Sequence, residues 1–360
     1  MKRRDAGFTL IEMMIAIAIV AFVIAAASTF FVMSVQQYKV QTKIIETNLE
    51  GILGLELLRR DMECLGFGLP WNNLSSYTEK SGNGSSLNDS PPNPPRSVVS
   101  IDLATFTVNN SDYLVIKSAS VGMDNAAGKW TTLRNLGGVG VTRSWVPTSE
   151  NLAAGDYVIV LSVGSADSDR RSVVSSGSTF AVATGSFPVD NRKTNIVYGI
   201  GNSIPVRPFN RAEYYIADAL SNPSITVPQR CAPNTGVLVK AVVAHDAAGN
   251  TTNLLPLLDC AADMQIVYGL DTDGDGAVNN WATDISSGMT AADIRSQLVE
   301  VRVYILAQVG MRDNGYRNPA DNVYVGATDV GGGRWFDISG YRNYRWKLYQ
   351  IVTKTRNLAQ

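Results

Sequence analysis

One histidine, three cysteines and a charged fraction of only 18% in 360 residues leave little material for acid–base or metal–thiolate chemistry. The histidine, His245, sits in an Ala-His-Asp-Ala-Ala-Gly turn, where a lone imidazole beside an Asp is more often a satisfied residue than a base. No Gly-x-Ser-x-Gly elbow, Gly-rich phosphate loop or Cys/His zinc spacing is present, so the chain is not read as an enzyme. Basic and acidic residues cancel to a net charge of −1, and no stretch interleaves aromatic with basic residues. No nucleic-acid partner is therefore expected.

What the chain has in quantity is Gly, Ser, Asn and Thr, a composition that suits an extracytoplasmic β-rich domain with many turns. Cys231 and Cys260 lie within 30 residues of each other in that part, and a disulfide between them fits an oxidising compartment. Cys64 is then left over, either as a buried free thiol or as a member of the real pair.

The first residues carry the strongest signal. Lys2, Arg3 and Arg4 precede an apolar run from Met13 to Ala27 that continues through Ser28 and Thr29 to Met33. Roughly twenty such residues span a ~30 Å hydrocarbon core as a helix. The basic cluster predicts a cytoplasmic N-terminus and places the bulk of the chain outside. In an ordinary secretory signal the small-residue cleavage site follows the apolar core, whereas here the expected site, after Gly7, precedes it. Cleavage there removes the leader and keeps the helix. Glu12, a carboxylate near the start of an apolar span, is costly unless partnered. The new α-amino group on Phe8, one helical turn away or on a neighbouring subunit, is the expected partner.

Gly7-Phe8-Thr9-Leu10-Ile11-Glu12 followed by an apolar helix resembles the type IV pilin and type II secretion pseudopilin signature at every position. The resemblance implies cleavage after Gly7 by a prepilin peptidase, methylation of Phe8 and a subunit-docking role for Glu12. It also implies a type IV pilin-like α+β fold, in which a long N-terminal α-helix packs against an antiparallel β-rich globular domain. The unusual length, the stretch Gly155–Val160, the segment Leu298–Ala307 and a last strand closing on Arg356-Asn357 are similar to minor pilins of the PilW family. Such proteins are thought to prime pilus assembly in a tip complex with other minor pilins and a large adhesin. The implied partners are thus the peptidase, minor and major pilins, a tip adhesin, the inner-membrane assembly platform and the membrane itself. The implied location is the bacterial inner membrane with a periplasmic domain, then the pilus. A J-like secretion pseudopilin and a pilin-delivered, calcium-dependent binding module remain as alternatives.

Within this frame the residues divide into a leader (1–7), a transmembrane half-helix (8–33), an amphipathic continuation (34–66), a Ser/Gly/Pro-rich loop or linker (67–97) and a β-rich domain (98–360). Ile45, Leu49, Leu53 and Leu57 recur at i+4 with Ile52, Leu58 and Met62 on the same broad face, so this stripe is expected beneath the globular domain. Gly51 and Gly54 are read as tolerated helix glycines rather than as close contacts. Val299, Val301, Val303 and Ile305 alternate with Glu300, Arg302 and Tyr304 as a half-buried strand does. Tyr344–Thr353 forms a final strand, with Trp346 and Leu348 expected inward. Arg334, Arg342, Arg345, Lys347, Lys354 and Arg356 are read as a solvated basic face.

One segment has metal-ligand spacing. Asp271-Thr272-Asp273-Gly274-Asp275-Gly276 places carboxylates at alternate positions with Gly at the sixth, as calcium loops do. Ala277 would contribute its carbonyl, Asn279 its side chain, and Asp284 would replace the glutamate that is missing at position twelve, which is Ala282. A weakly bound structural Ca2+ is the expected ligand.

Overall fold

A computed structural model describes residues 7, 9–71, 77–81, 85–102, 106–136, 139–162, 172–181, 194–201, 203–245, 252–286 and 288–358. The expected leader residues Lys2, Arg3 and Arg4, and Phe8, lie outside them.

Helix α1 runs from Leu10 to Glu63 without a break, 54 residues and about 80 Å at 1.5 Å per residue. Thr9 caps its N-terminus, and beyond it Gly66 (φ +73°) and Gly68 (φ +72°) turn the chain in the left-handed region that favours glycine. From Leu10 to Ser34 every residue is exposed. The second half packs on a sheet, but not through the face that hydrophobicity alone selects. Thr47, Gly51, Leu55, Leu58, Asp61 and Met62 are buried, whereas Ile45, Leu49, Ile52 and Leu53 are more than half exposed and Leu57 is 41% exposed. Of the expected stripe, Leu58 and Met62 are buried as read, and the other five residues are turned out to solvent.

Small residues explain the choice. A Cβ on Gly54 would lie 1.8 Å from the carbonyl oxygen of Leu257, so the helix rides directly on strand backbone there. The clearance at Gly51 is set by side chains, Leu258 Cδ1 and Tyr349 Oη, each 3.0 Å from such a Cβ. These glycines are therefore close contacts. Gly54→Ala is expected to destabilise the chain by about 1–2 kcal/mol, because overpacking against backbone outweighs the ~1 kcal/mol gain in helix propensity. Gly51→Ala, whose neighbours can shift, loses less. Thermal melts of both variants in detergent check the order.

The sheet beneath α1 has the order β1 (Val98–Asp102), β2 (Asp112–Ser118), β8 (Asn210–Ala217), β9 (Gly236–Val243), β10 (Thr252–Leu270), β12 (Leu298–Val309) and β15 (Arg345–Lys354). A short β11 (Asn280–Ala282) pairs with β10, and all these pairings are antiparallel. The core between helix and sheet joins Leu55, Leu58 and Met62 to Leu238, Leu258, Ile266, Val301, Val303 and Ile305. On the last strand, Tyr349, Ile351 and Thr353 are buried and Leu348 is 38% exposed. The expected inward placement of Leu348 is thus reversed, because α1 covers the odd-numbered face. Trp346 lies on the opposite face, partly buried against Phe336 of the hairpin β13 (Asn322–Ala327) and β14 (Gly332–Asp337). A short helix α2 (Ala291–Gln297) precedes β12.

Residues 77–81 and 85–97 hold no strand, yet they are strapped to the sheet by buried charge. Lys117 Nζ lies 2.7 Å from Glu79 and 2.6 Å from Asp89, while Arg211 pairs with Glu79 at 2.6 Å and Glu213 at 2.8 Å. Buried charges persist only when paired in this way. A second sheet, β4 (Val139–Thr142), β3 (Trp130–Leu136), β7 (Thr194–Gly201), β5 (Tyr157–Ser162) and β6 (Ser172–Thr179), is also antiparallel. Phe67, just past α1, meets Tyr198 of β7 edge-on at 5.0 Å.

Three members of the expected basic face are paired within the domain. Arg334 binds Asp263, Arg342 binds Asp321 and Arg345 binds Asp313, at 2.7, 2.6 and 2.8 Å. Beside the first pair, Asp112 accepts a hydrogen bond from the Ile266 amide (2.7 Å) and stands opposite Asp102 across the β1–β2 ladder. Burial pushes the Asp112 carboxyl up to about 7, with nearby Asp263 adding to the rise and the Ile266 bond and Arg334 opposing it. The folded chain therefore holds this proton to about pH 7, while the unfolded chain releases it near 3.8. Its contribution to stability is present below pH ~4 and is lost as pH rises through 7. Asp112→Asn is expected to melt like wild type at pH 4 and above it at pH 8.

Candidate assembly and metal-binding sites

Gly7 is exposed ahead of the helix. Two residues on, Thr9 and Glu12 close a capping box. The Glu12 carboxylate accepts from the Thr9 amide and hydroxyl, each at 2.9 Å, and the Glu12 amide donates to Thr9 Oγ1 at 3.4 Å. Glu12 is thus satisfied locally in the single chain, on an exposed turn. The partner expected for it, the Phe8 amine, lies outside the described residues. Nearer the domain, Ile45, Leu49, Ile52, Leu53 and Leu57 are exposed as well. Sequence reasoning placed these residues inward. The missed signal was Thr47, Gly51, Gly54 and Asp61, small or polar residues along one face with a charge among them.

The acidic loop connects β10 to β11. Carboxylate oxygens of Asp271, Asp273 and Asp275 lie within 4.8 Å of one another. Gly274 (φ +80°) and Gly276 (φ +87°) make the turn, and their amides donate to the two oxygens of Asp271 at 2.6 and 2.7 Å. The bond from Gly276, followed by that from Gly274, holds the Asp271 carboxyl below its ordinary value. The Ala277 amide donates to Asp275 at 2.8 Å, and Asn279 Oδ1 accepts from the Thr272 amide and hydroxyl at 3.0 Å. Asp284 is outside the trio and accepts from the Ser286 amide at 2.6 Å.

Cys231 and Cys260 are disulfide-bonded, with Cα atoms 5.0 Å apart, and Cys64 is a half-buried free thiol at the end of α1. His245 is buried and bonded to Asn210 Oδ1 at 3.0 Å. Burial drives its pKa down to about 3, with Arg207 adding to the effect, so it stays neutral at ordinary pH.

Residues 2–28 match the family model of the prokaryotic N-terminal methylation motif, and residues 213–357 match that of the type IV pilus-assembly protein W. The chain thus carries a match to the class III prepilin N-terminus and, separately, a match to the PilW family. The PilW match runs from within β8 to β15, all of the large sheet except β1 and β2, and includes the disulfide, the acidic loop and the hairpin. Together the two matches support a type IV pilus-related minor pilin, a structural protein associated with other pilins and their assembly machinery. The motif and the apolar helix indicate membrane anchoring. No curated protein and no solved structure matches the chain.

Proposed function

We propose that the chain is a minor pilin cut after Gly7 by prepilin peptidase and methylated on Phe8. It enters a type IV pilus through α1 and acts in priming and in the tip complex that presents an adhesin. The observation that carries this reading is the exposed length of α1. An apolar helix with Glu12 at its start, and an outward stripe from Ile45 to Leu57, leaves a surface suited to cover by lipid or by the helices of neighbouring subunits. The basic leader favours a cytoplasmic N-terminus and a periplasmic domain before assembly. Mass spectrometry of the N-terminal peptide, from membranes and from sheared filaments, tests it. A methylated Phe8 terminus in both fractions supports a processed subunit that reaches the pilus. That terminus in membranes alone favours a secretion pseudopilin, and an intact Met1 terminus refutes processing.

The acidic loop is proposed to hold one Ca2+ through Asp271, Asp273 and Asp275, with Ala277 and Asn279 completing the shell after small turns. Three carboxylates at this spacing repel one another without a cation. The affinity is placed at the weak end for extracellular modules, ~10⁻⁴–10⁻³ M. Asp273→Ala is expected to abolish a calcium-dependent rise in melting temperature seen in wild type. Equal melting of wild type in calcium and in chelator removes the metal.

A further inference from the structure

A cleft of about 470 Å³ opens where the C-terminal half of α1 meets the second sheet. That volume lies within the range of small-molecule sites, roughly 300–1,000 Å³. Arg60 reaches it from the helix, Asn125 and Lys129 from the turn before β3, Trp130 from β3 itself, and Trp145 and Glu150 from the loop before β5. It contains no Leu, Ile, Val, Met or Phe. A lipid tail or an apolar peptide would find little to pack on. Apart from Ala127, its apolar side chains are two indoles.

Those indoles are held in place. Trp130 and Trp145 meet at 4.9 Å with a 61° angle between planes, and Trp145 Nε1 donates to the Trp130 carbonyl at 2.7 Å. Asn151 clamps the Trp145 backbone from both sides, accepting from its amide at 2.6 Å and donating to its carbonyl at 3.2 Å. The Arg143 guanidinium lies 4.2 Å over the Trp145 ring. Arg60 and Lys129 have no ion-pair partner among the described residues, so the two cations outnumber Glu150 in the cleft wall.

We propose that this cleft binds an acidic saccharide. The C–H face of a sugar ring carries weak positive potential and packs on the negative face of an indole. Its hydroxyls match the amide of Asn125 and the carboxylate of Glu150, and a carboxylate or sulfate substituent meets Arg60 and Lys129 in charge-assisted hydrogen bonds. A neutral sugar would leave those cations unused, and a bare anion would leave the indoles uncovered. The cleft lies outside both family matches, and the proposal stands whether or not the chain enters a filament.

The test uses the full chain in a zwitterionic, sugar-free detergent. Glucuronic acid, glucose and sodium sulfate serve as probes for calorimetry and for saturation-transfer NMR of the sugar protons. Glucuronate is expected to bind saturably, about 10-fold tighter than glucose, with saturation transfer to its ring protons. Arg60→Gln with Lys129→Gln, two surface changes that spare the fold, should weaken glucuronate to the level of glucose. Trp145→Ala should abolish saturation transfer. Equal affinity for glucose and glucuronate, or sulfate competing as well as glucuronate without any ring transfer, overturns the proposal. So does binding that survives the double variant, or no saturable binding of glucuronate at all.

Discussion

Glu12→Ala is expected to reach the membrane at the wild-type level and to be absent from sheared filaments. Losing the carboxylate does not endanger insertion, because removing a charge from the edge of an apolar span favours the bilayer. Nor does it unmake the helix. Thr9 still caps the first turn through the Glu12 position's amide, and the forfeited half of the capping box costs about 0.5–1 kcal/mol in a helix of 54 residues. On the proposed docking role the large loss is intermolecular, since the carboxylate is the one ionised group the described N-terminal span can offer to a neighbour's amine. The capping box supplies a sharper variant. Glu12→Gln keeps a side chain able to bond back to Thr9 but removes the charge. Both variants should fail to incorporate. If Gln restores filament incorporation while Ala does not, Glu12 acts as a helix cap and its docking role is wrong.

Much of the fold was readable because it follows periodicity. The apolar run gives α1, and strict alternation at Val299–Ile305 gives β12. The disulfide is the pair that Cys231 and Cys260 suggested by sharing the β-rich part, and Cys64, which the sequence left open as an alternative member, is free. The rotation of α1 was not readable. A stripe of Ile and Leu predicts burial only if apolar area decides the contact, and here the closest approach is made by Gly54 on strand backbone, which no hydropathy pattern registers. The same rotation reverses the last strand, so Leu348 faces solvent and Tyr349 the helix. The second sheet escaped for another reason. β3, Trp-Thr-Thr-Leu-Arg-Asn-Leu, is largely polar and β4, Val-Gly-Val-Thr, has only four residues, and nothing in them states which strands they pair with. At the candidate sites, Gly7, Glu12 and the acidic trio are local motifs and could be seen. The Trp130–Trp145 cleft assembles from three distant segments and could not.

Asp61→Ala carries the largest expected loss of stability. Asp61 is 7% exposed on the buried face of α1, where Lys240 of β9 donates to it at 2.5 Å and the Tyr214 hydroxyl of β8 also donates. Burial, with the Asp61 charge beside it, keeps the Tyr214 hydroxyl protonated far above its ordinary range, so it remains a donor. Truncating Asp61 leaves the Lys240 ammonium buried without an anion, a loss of about 3–5 kcal/mol. Exchanging both partners, Asp61→Met with Lys240→Met, should recover most of that, because buried ion pairs seldom outperform well-packed apolar side chains. The pair's contribution is then one of registry. With Leu58 and Met62 on either side, a carboxylate seated on Lys240 permits one rotation of α1 and keeps Ile45, Leu49, Ile52, Leu53 and Leu57 facing outward, where neighbouring subunits would meet them. A reporter at Leu53→Cys separates registry from mere stability. In the Met/Met background, thiol labelling should slow as the helix turns its larger apolar stripe toward the sheet. Unchanged labelling there would mean that Gly54 alone sets the rotation and that the ion pair contributes only to stability.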